Sequence, residues 1–410
     1  MGDVVWLRRD LRRSDLPTLA AAAESGPVTV VFVVDPALWD PAADTPRRRW
    51  LAATLLALRE TYDGRLTLRT GDPATVIHRV AREAGATAVH VSEETEPEGA
   101  ARDRRVERVL GDVPLVRTGS PYAVTPGRVV KPNGDPYLVF TPFSKAWREH
   151  GWRAPSEDPH GLRLGPDRSD DDAWDLVTAA ARGDAPGLPT VGEDGAAAAW
   201  DAFLDGGLDR YATERDRPDL NATSRMSPYL KLGVVHPRTL LADLAHRHGP
   251  GVERFVTELA WREFYADVLH HNPASLWDDL RPELASMAYD DEPGLVDAWR
   301  AGRTGVPLVD AGMRQLLATG WMHNRVRMVT ASFLVKHLHT RWQVGAQHFL
   351  DHLIDADLAS NQHGWQWVAG TGTDAAPYFR VFNPVLQGER FDPHATYIRA
   401  YVPELSALTA

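Results

Sequence analysis

The sequence predicts an α/β fold in which an N-terminal doubly wound parallel sheet is followed by an all-α C-terminal domain. Over residues 1–128, short β-branched runs alternate with helical segments, which is the pattern of βαβ units. From residue 196 onward, one helical segment follows another with short loops between them. The length of 410 residues also exceeds what one hydrophobic core usually fills, which favours two domains.

Each element of the first domain, which we expect to be Rossmann-like, has its own signal in the sequence. Strands are predicted at 4–7, 28–35, 66–69 and 87–92. Helices are predicted to start at 14–17 and to cover 48–62 and 73–84. The run 28–35 is apolar on both faces, as expected for a strand buried in a parallel sheet.

Residues 129–195 are rich in Pro, Gly and Asp, and they predict an interdomain linker interrupted by a short anchor at 137–147. The domain 196–410 is predicted to be helical. Its predicted helices are 196–207, 237–248, 252–271, 295–301, 307–318, 321–339 and 346–353.

The composition excludes several classes of function. There is no cysteine, so we expect no disulfide, no thiol catalysis, no cysteine-ligated zinc and no Cys-held iron–sulfur cluster. We also expect no metal site of another kind. No window approaches eighteen apolar residues, so we expect neither a membrane span nor a secretory signal, and a cytoplasmic location. The net charge of −11 argues against generic nucleic-acid binding, so any DNA site must be a local one.

The first domain has residues at the expected ligand-binding edge of its sheet. Ligands of doubly wound sheets bind beyond the carboxyl ends of the strands, where Arg8, Arg9, Asp35 and 93–96 fall. The absence of G-x-G-x-x-G and G-x-x-x-x-G-K-[ST] weakens a dinucleotide or nucleoside triphosphate interpretation. A solvated loop explains the Arg8-Arg9 pair equally well.

The segment 223–230, T-S-R-M-S-P-Y-L, is the first candidate binding site of the second domain. Its hydroxyls and backbone N–H groups precede a predicted helix, where an anion prefers to bind. An ordinary helix N-cap is the simpler explanation of this local sequence alone.

The segment 258–265, E-L-A-W-R-E-F-Y, places an acid, an indole and a guanidinium on one helical face. Glu258, Trp261 and Arg262 are separated by three and four positions, so they project together. They predict one pocket. A Glu–Arg pair on a solvated face, with Trp261 in the core, is the alternative.

The segment 321–328, W-M-H-N-R-V-R-M, places Asn324, Arg327 and Met328 on one helical face, with Arg325 turned toward another. An Asn can hydrogen-bond a base edge, an Arg can pair with an Asp, and a Met offers a soft apolar contact.

The segment 354–384 combines Asp355, Asp357, Asn361, Trp365 and Trp367 with no clean helical or strand period. The carboxylates are costly to bury without partners, and the indoles offer flat surfaces. The mixture suits a ring-bearing cofactor with hydroxyls. A loop and helix with surface acids and structural Trp residues is the alternative.

These four segments together resemble the photolyase/cryptochrome family, and the chain is most similar to class I cyclobutane pyrimidine dimer (CPD) DNA photolyases. The resemblance covers essentially the whole chain and is most specific over 211–393. It implies that the helical domain binds FAD, with Asp355 paired to Arg327. The implied FAD-binding residues are Tyr211, Thr223, Ser224, Arg225, Met226, Ser227, Arg262, Arg327, Asp355, Asp357 and Asn361.

The resemblance also implies a lesion pocket with two facing indole walls, a DNA-binding surface and an electron-hopping chain. The implied catalytic residues are Glu258, Trp261, Asn324, Met328 and Trp367. The implied DNA contacts are Arg215, Glu258, Trp261, Asn324, Arg325, Arg380 and Gln387. The implied electron-transfer residues are Trp365, Trp342 and Tyr289, where Tyr289 replaces the usual Trp.

The activity implied by the resemblance is light-driven DNA repair. A cyclobutane pyrimidine dimer in single- or double-stranded UV-damaged DNA is flipped into the pocket and split by an electron from excited reduced FAD. Glu258 is expected to stabilise the dimer by a hydrogen bond from its protonated form. We expect a monomer with no membrane partner.

Two rival functions remain within the same family. A blue-light cryptochrome receptor binds FAD without repair, but it usually carries a C-terminal extension, which we do not expect here. A (6-4) photolyase carries His at the positions of Asn324 and Met328.

The antenna chromophore is expected to be 8-hydroxy-5-deazaflavin, with methenyltetrahydrofolate as the alternative. Pterin-binding relatives tend to place an acid at the position of Gly99.

Overall fold

The computed structural model describes residues 2–39, 44–183, 186–284, 288–373 and 381–407. It shows a parallel sheet with flanking helices, followed by a larger set of helices. The predicted fold class is therefore confirmed.

The sheet has five strands, all parallel, in the order β3-β2-β1-β4-β5. The strands are β1 Val4–Leu7, β2 Thr29–Val34, β3 Thr67–Thr70, β4 Val89–Val91 and β5 Leu115–Arg117. Every residue of the central β1 is buried, as expected for a strand with helices on both faces. The strand order reverses on the two sides of β1, which makes the loop after β1 a natural place for a functional contact.

Four helices pack on this sheet, and each begins with a proline in its first turn. They are α1 Pro17–Ala23, α2 Pro46–Thr61, α3 Pro73–Ala84 and α4 Pro97–Leu110. The helix α3 has the bounds that the sequence predicts. Asp72 caps its start by accepting from Thr75 N at 3.0 Å, and Gly85, with φ of 61°, ends it in the left-handed conformation.

The segment 129–195 is more ordered than a linker. It contains α5 Phe140–His150, α6 Ala173–Ala181 and the start of α7 Gly192–Ala202. The helix α6 buries Trp174 and Val177 against the first domain, and Leu68 N donates to Ser169 Oγ at 2.8 Å just before it. The domain limits at 128 and 195 remain predictions.

The remaining helices build the second domain. They are α8 Tyr211–Glu214, α9 Ser227–Leu232, α10 Pro237–Leu244, α11 Pro250–His271, α12 Pro293–Arg300, α13 Pro307–Thr319, α14 Asn324–Ser332, α15 Trp342–His352, α16 Leu358–Ala369, α17 Pro384–Phe391 and α18 Thr396–Tyr401. No helix of the described ranges is both long and apolar enough to cross a membrane.

The predicted helix 321–339 is wrong at both ends. The helix α14 begins at Asn324, because the His323 ring accepts a hydrogen bond from Arg325 N at 3.2 Å and caps it. A π-helical turn, Phe333–His337, follows it. Position 324 is therefore in the first turn of the helix.

Candidate active site

One cavity of about 550 Å³ lies between helices of the second domain and contains most of the predicted site. Its walls come from α8, α9, α11, α14 and α16 and from the loops before them. The predicted residues that line it are Tyr211, Arg215, Thr223, Ser224, Arg225, Met226, Ser227, Glu258, Trp261, Arg262, Asn324, Arg325, Arg327, Met328, Asp355, Asp357, Asn361, Trp365 and Trp367. Four separate sequence segments thus face one space.

Asp355 is fixed by the pair that the sequence predicts. Arg327 Nη2 donates to its two carboxylate oxygens at 3.0 and 2.8 Å. Ser227 Oγ, in the first turn of α9, donates to Oδ2 at 2.6 Å. These bonds join three lining segments, and the expected contact between Asp355 and Arg327 is confirmed.

One carboxylate oxygen of Asp357 caps the helix α16, and the other forms an ion pair. Its Oδ1 accepts from Ser360 N at 3.0 Å and caps α16, and its Oδ2 accepts from Arg9 Nη2 at 2.7 Å. Burial alone would raise the pKa of Asp357, but the charges of Arg9, Arg262 and Lys231 outweigh it and hold that pKa well below its ordinary value. The group is a carboxylate at neutral pH.

The Asn361 amide is oriented by bonds inside the protein. Its Nδ2 donates to Ala346 O at 3.1 Å and to Gln362 Oε1 at 2.8 Å, while Gln362 Nε2 donates to Leu276 O at 2.6 Å. Both N–H groups of Asn361 are therefore used. Its carbonyl oxygen is the atom left for a ligand.

The two indole walls have aromatic supports. Phe140, the first residue of α5, stacks on Trp261 with ring centroids 3.6 Å apart and planes 5° apart. One face of Trp261 is thus covered, and the other is left for the cavity. On the other wall, the ring centroids of Phe382 and Trp367 lie 6.4 Å apart.

Glu258 is held by two arginines. Arg215 Nη1 donates to it, and Arg254 Nε lies 3.4 Å from the same oxygen. These contacts stabilise a carboxylate. The expectation that Glu258 acts in its protonated form stays a prediction.

Comparison with known proteins identifies the family. The family model for DNA photolyase matches residues 3–160, and that for the FAD-binding domain of DNA photolyase matches residues 255–410. A deoxyribodipyrimidine photo-lyase from Thermus thermophilus is 42% identical over 407 residues, which cover 98% of this chain and 92% of the relative. The chain belongs to the DNA photolyase family.

Solved photolyase structures share this fold over almost the whole chain. A class III photolyase from Agrobacterium tumefaciens superposes with a TM-score of 0.90 at 37% identity, over 99% of this chain and 87% of its own. An archaeal photolyase from Sulfolobus tokodaii, solved with two FAD molecules, gives a TM-score of 0.86 at 30% identity, over 99% of this chain and 91% of its own. The expected likeness to class I enzymes stays a prediction.

The cavity fits the FAD that this family binds. The cavity lining includes carboxylate and amide acceptors at Asp357 and Asn361, which suit the N–H groups of a flavin ring. It also includes the hydroxyls of the 223–227 segment and the Arg225 guanidinium, whose carbon lies 3.5 Å from the Trp321 ring centroid, and these suit phosphates.

Of the three residues predicted to form an electron-hopping chain, only Trp365 lines the cavity. Gly345 of α15 lets its indole approach, since a Cβ there would lie 2.1 Å from Trp365. Trp342 starts α15, is fully buried, and donates from Nε1 to Asp279 Oδ1 at 2.7 Å. Tyr289 is half-buried, with the Arg341 guanidinium 5.9 Å from its ring.

Some predicted DNA contacts fall elsewhere. Gln387 lies on α17, outside the cavity lining, and Arg380 lies outside the described residues. Arg325 lines the cavity rather than another face, and it pairs with Asp216 at 2.8 Å. Arg215 is largely buried beside Glu258, so its guanidinium is part of the cavity wall.

Sequence reasoning missed several residues of the photolyase pocket. Lys231 directly follows the predicted 223–230 segment, and Arg254 precedes Glu258 by one helical turn, so both had a local signal. Arg9 was predicted at the ligand-binding edge of the sheet, but its contact with Asp357 was not, and neither was that of Phe140 with Trp261, because each pair is separated by more than a hundred positions of the chain.

The sheet domain holds its own candidate residues in internal contacts. Arg8 Nη1 donates to Asp103 at 2.9 Å and Arg8 Nη2 donates to Ser92 O. Gly99 packs so closely that a Cβ would lie 2.1 Å from the Glu94 side chain. An acid at position 99 would require Glu94 to move.

Proposed function

We propose that this chain is a deoxyribodipyrimidine photo-lyase, which repairs cyclobutane pyrimidine dimers in UV-damaged DNA with light. The observation that carries the proposal is that one cavity is lined both by acceptors and cations that suit FAD and by two indoles, Trp261 and Trp367, that could flank a flipped pair of pyrimidines. The near full-length likeness to deoxyribodipyrimidine photo-lyases supports it.

Polar groups on two sides of the cavity hold the cofactor. The hydroxyls of the 223–227 segment and Arg225 bind its phosphates, and Tyr211 and Arg262 close the same wall. Asp357 and the Asn361 carbonyl accept hydrogen bonds from it. Reduced FAD, when bound and excited, would supply an electron to the dimer, and this electron would return to the cofactor once the cyclobutane ring has split, so that the repair causes no net redox change.

The lesion occupies the part of the cavity between the indoles. Extruding bases from a duplex costs stacking energy, and stacking on Trp261 and Trp367 replaces it. Met328 gives an apolar contact, and Asn324 a polar one at a base edge. Glu258 hydrogen-bonds the dimer from its protonated form.

Photoreduction of the cofactor uses Trp365, Trp342 and Tyr289, in that order, toward the surface. Trp365 lines the cavity, Trp342 is buried, and Tyr289 is half-buried. Tyr289 is the most exposed of the three, which supports its place at the surface end of the chain.

DNA binds at the mouth of the cavity, which forms a local binding site on a protein that is acidic overall. The proposed backbone contacts are Arg215, Arg325, Arg380 and Gln387. We also propose a cytoplasmic monomer with an 8-hydroxy-5-deazaflavin antenna. Position 99 carries Gly where pterin-binding relatives tend to place an acid, and a larger residue there would require the Glu94 side chain to move. Methenyltetrahydrofolate is the alternative chromophore.

The test is light-dependent repair. Purified protein with reduced FAD is illuminated with blue light in the presence of oligonucleotides that contain a cyclobutane dimer or a (6-4) photoproduct. We expect restored thymines from the dimer only, and only in the light. Repair of the (6-4) lesion, or FAD binding with no repair, would assign the chain to one of the rival functions.

A further inference from the structure

Arg9 reaches from the loop after β1 into the wall of the cavity. Its Nη2 donates to Asp357 Oδ2 at 2.7 Å, between residues 348 positions apart. Asp357 lines the cavity and caps α16. Arg9 therefore joins the sheet domain to a binding residue, although it lies far from the matched FAD-binding domain, 255–410.

The sheet domain fixes the Arg9 guanidinium from behind. Its Nη1 pairs with Glu96 and lies 3.4 Å from Glu94 Oε1. The side chain is only 11% exposed, and its guanidinium carbon lies 5.8 Å from the Tyr122 ring. A guanidinium held by two carboxylates in a buried site has little freedom to turn, so its direction toward Asp357 is set before a ligand binds.

The Arg9 contact decides how Asp357 is oriented. A carboxylate can accept at about four lone-pair positions. One is used by Ser360 N and one by Arg9 Nη2, so the remaining positions are fixed in direction. Without Arg9, the nearby cations Arg262, at 3.9 Å, and Lys231 would draw the carboxylate toward themselves.

We propose that Arg9 is a positioning residue for FAD. Through its bond to Asp357, the sheet domain orients the acceptor that binds the cofactor, so the cofactor site is complete only when the two domains are docked. The inference rests on the proposed function, because it takes FAD as the ligand of the cavity.

The test compares Arg9→Gln with Arg8→Gln in the full chain. Arg8 is a matched control, because its side chain is 7% exposed and pairs with Asp103, but its contacts stay in the sheet domain. The protein is stripped of FAD, and the dissociation constant of added FAD is measured by fluorescence. We expect Arg9→Gln to raise it about tenfold, the effect of one charge-assisted hydrogen bond. Arg8→Gln should leave it unchanged.

A double-mutant cycle separates positioning from general destabilisation. In an Asp357→Asn background, Arg9→Gln should raise the FAD dissociation constant no further, because the oriented group is already changed. An additive loss would overturn the inference. If Arg9→Gln does not fold, Arg9→Lys keeps the charge but not the paired donors, and a smaller loss of FAD affinity is expected from it.

The outcomes distinguish this inference from the proposed function. Wild-type protein that binds FAD, with Arg9→Gln binding it equally tightly, contradicts the role of Arg9 and leaves the proposed function intact. Failure of the wild-type protein to bind FAD overturns both.

Discussion

Gln362 and His363, neighbours on α16, differ in how their buried polar atoms are satisfied. The Gln362 amide bonds on both sides, to Leu276 O and to Asn361 Nδ2. His363 is fully buried and stacks on Tyr265 at 5.7 Å, but neither ring nitrogen has a hydrogen-bond partner within the described part of the chain. Gln362 therefore orients the Asn361 amide, whereas protonation of His363 destabilises the fold.

Replacing His363 with Phe should weaken the acid sensitivity of the fold. Burial lowers the pKa of His363 from 6.5 to about 4, so the unfolded chain binds more protons than the folded one between these values. The free energy of unfolding therefore falls as the pH drops from 6.5 toward 4, by about 2 kcal/mol between pH 7 and 5 from this group. Urea unfolding at both pH values should show that His363→Phe lacks this part of the loss. An equal loss of unfolding free energy in the variant and the wild type would contradict this role of His363.

Replacing Gln362 with Leu should change the redox behaviour of bound FAD. The variant frees the Asn361 amide to rotate, so its carbonyl is less often available to accept from reduced FAD. We expect the two-electron midpoint potential to fall by about 30 mV, a tenfold weaker preference for the reduced cofactor. Spectroelectrochemistry measures it.

Gln366→Leu is the control for Gln362→Leu. Gln366 is equally buried, one turn further along α16, and it bonds to Ser275 O and Leu280 N. Equal shifts in the two variants would show that general damage to α16, and not Asn361, sets the potential.

At the scale of elements, two of the residues that we propose for electron transfer, Trp342 and Tyr289, lie near one carboxylate at the start of α15. Trp342 is its first residue and donates to Asp279, and Arg341 faces Tyr289. Burial raises the pKa of Tyr289, and the nearby Asp279 adds to that shift. A carboxylate so placed stabilises positive charge on an oxidised indole.

Asp279→Asn should therefore slow photoreduction of bound FAD. The change keeps an acceptor for the Trp342 N–H but removes the negative charge. We expect this to raise the free-energy barrier to photoreduction by about 1 kcal/mol, which slows it roughly fivefold. Absorbance of FAD under blue light measures it, and repair by protein that is already reduced should not change. Asp278→Asn, at an exposed neighbouring position, is the control. Photoreduction at the wild-type rate in Asp279→Asn would exclude this role.

Helices and the residues they group were predictable because their signals are local. The bounds of α3 and the shared face of Glu258, Trp261 and Arg262 follow from a period of 3.6 residues. The strand β5 is only Leu115–Arg117, too short to show a period. The helix α6 was hidden in a segment rich in Pro and Asp, where burial of Trp174 against the first domain decides the structure.

At the scale of the molecule, contacts between distant segments were not predictable. Arg9 with Asp357 and Phe140 with Trp261 depend on how the domains dock, which no local pattern encodes. Glu263 makes further contacts between distant segments of the chain. It accepts from Ala123 N, from Val124 N at 3.0 Å and from Trp147 Nε1 at 2.6 Å.

Glu263→Ala should destabilise the whole protein. It leaves two backbone N–H groups and one indole N–H buried without an acceptor, at a cost of about 3 kcal/mol or more in the free energy of unfolding. Urea unfolding measures it. Glu253→Ala, on the same helix but mostly exposed, should cost less than about 1 kcal/mol. Similar losses of unfolding free energy in both variants would contradict this role of Glu263 in linking distant segments.

The central claim is that FAD and a flipped pyrimidine dimer share one cavity, and fluorescence of the reduced cofactor, excited by weak light, tests it most directly. Electron transfer from an excited flavin to a dimer in contact with it competes with emission. An oligonucleotide that contains a cyclobutane dimer should therefore quench this fluorescence, whereas the undamaged oligonucleotide should not. Equal emission with both, although both are bound, would contradict the account.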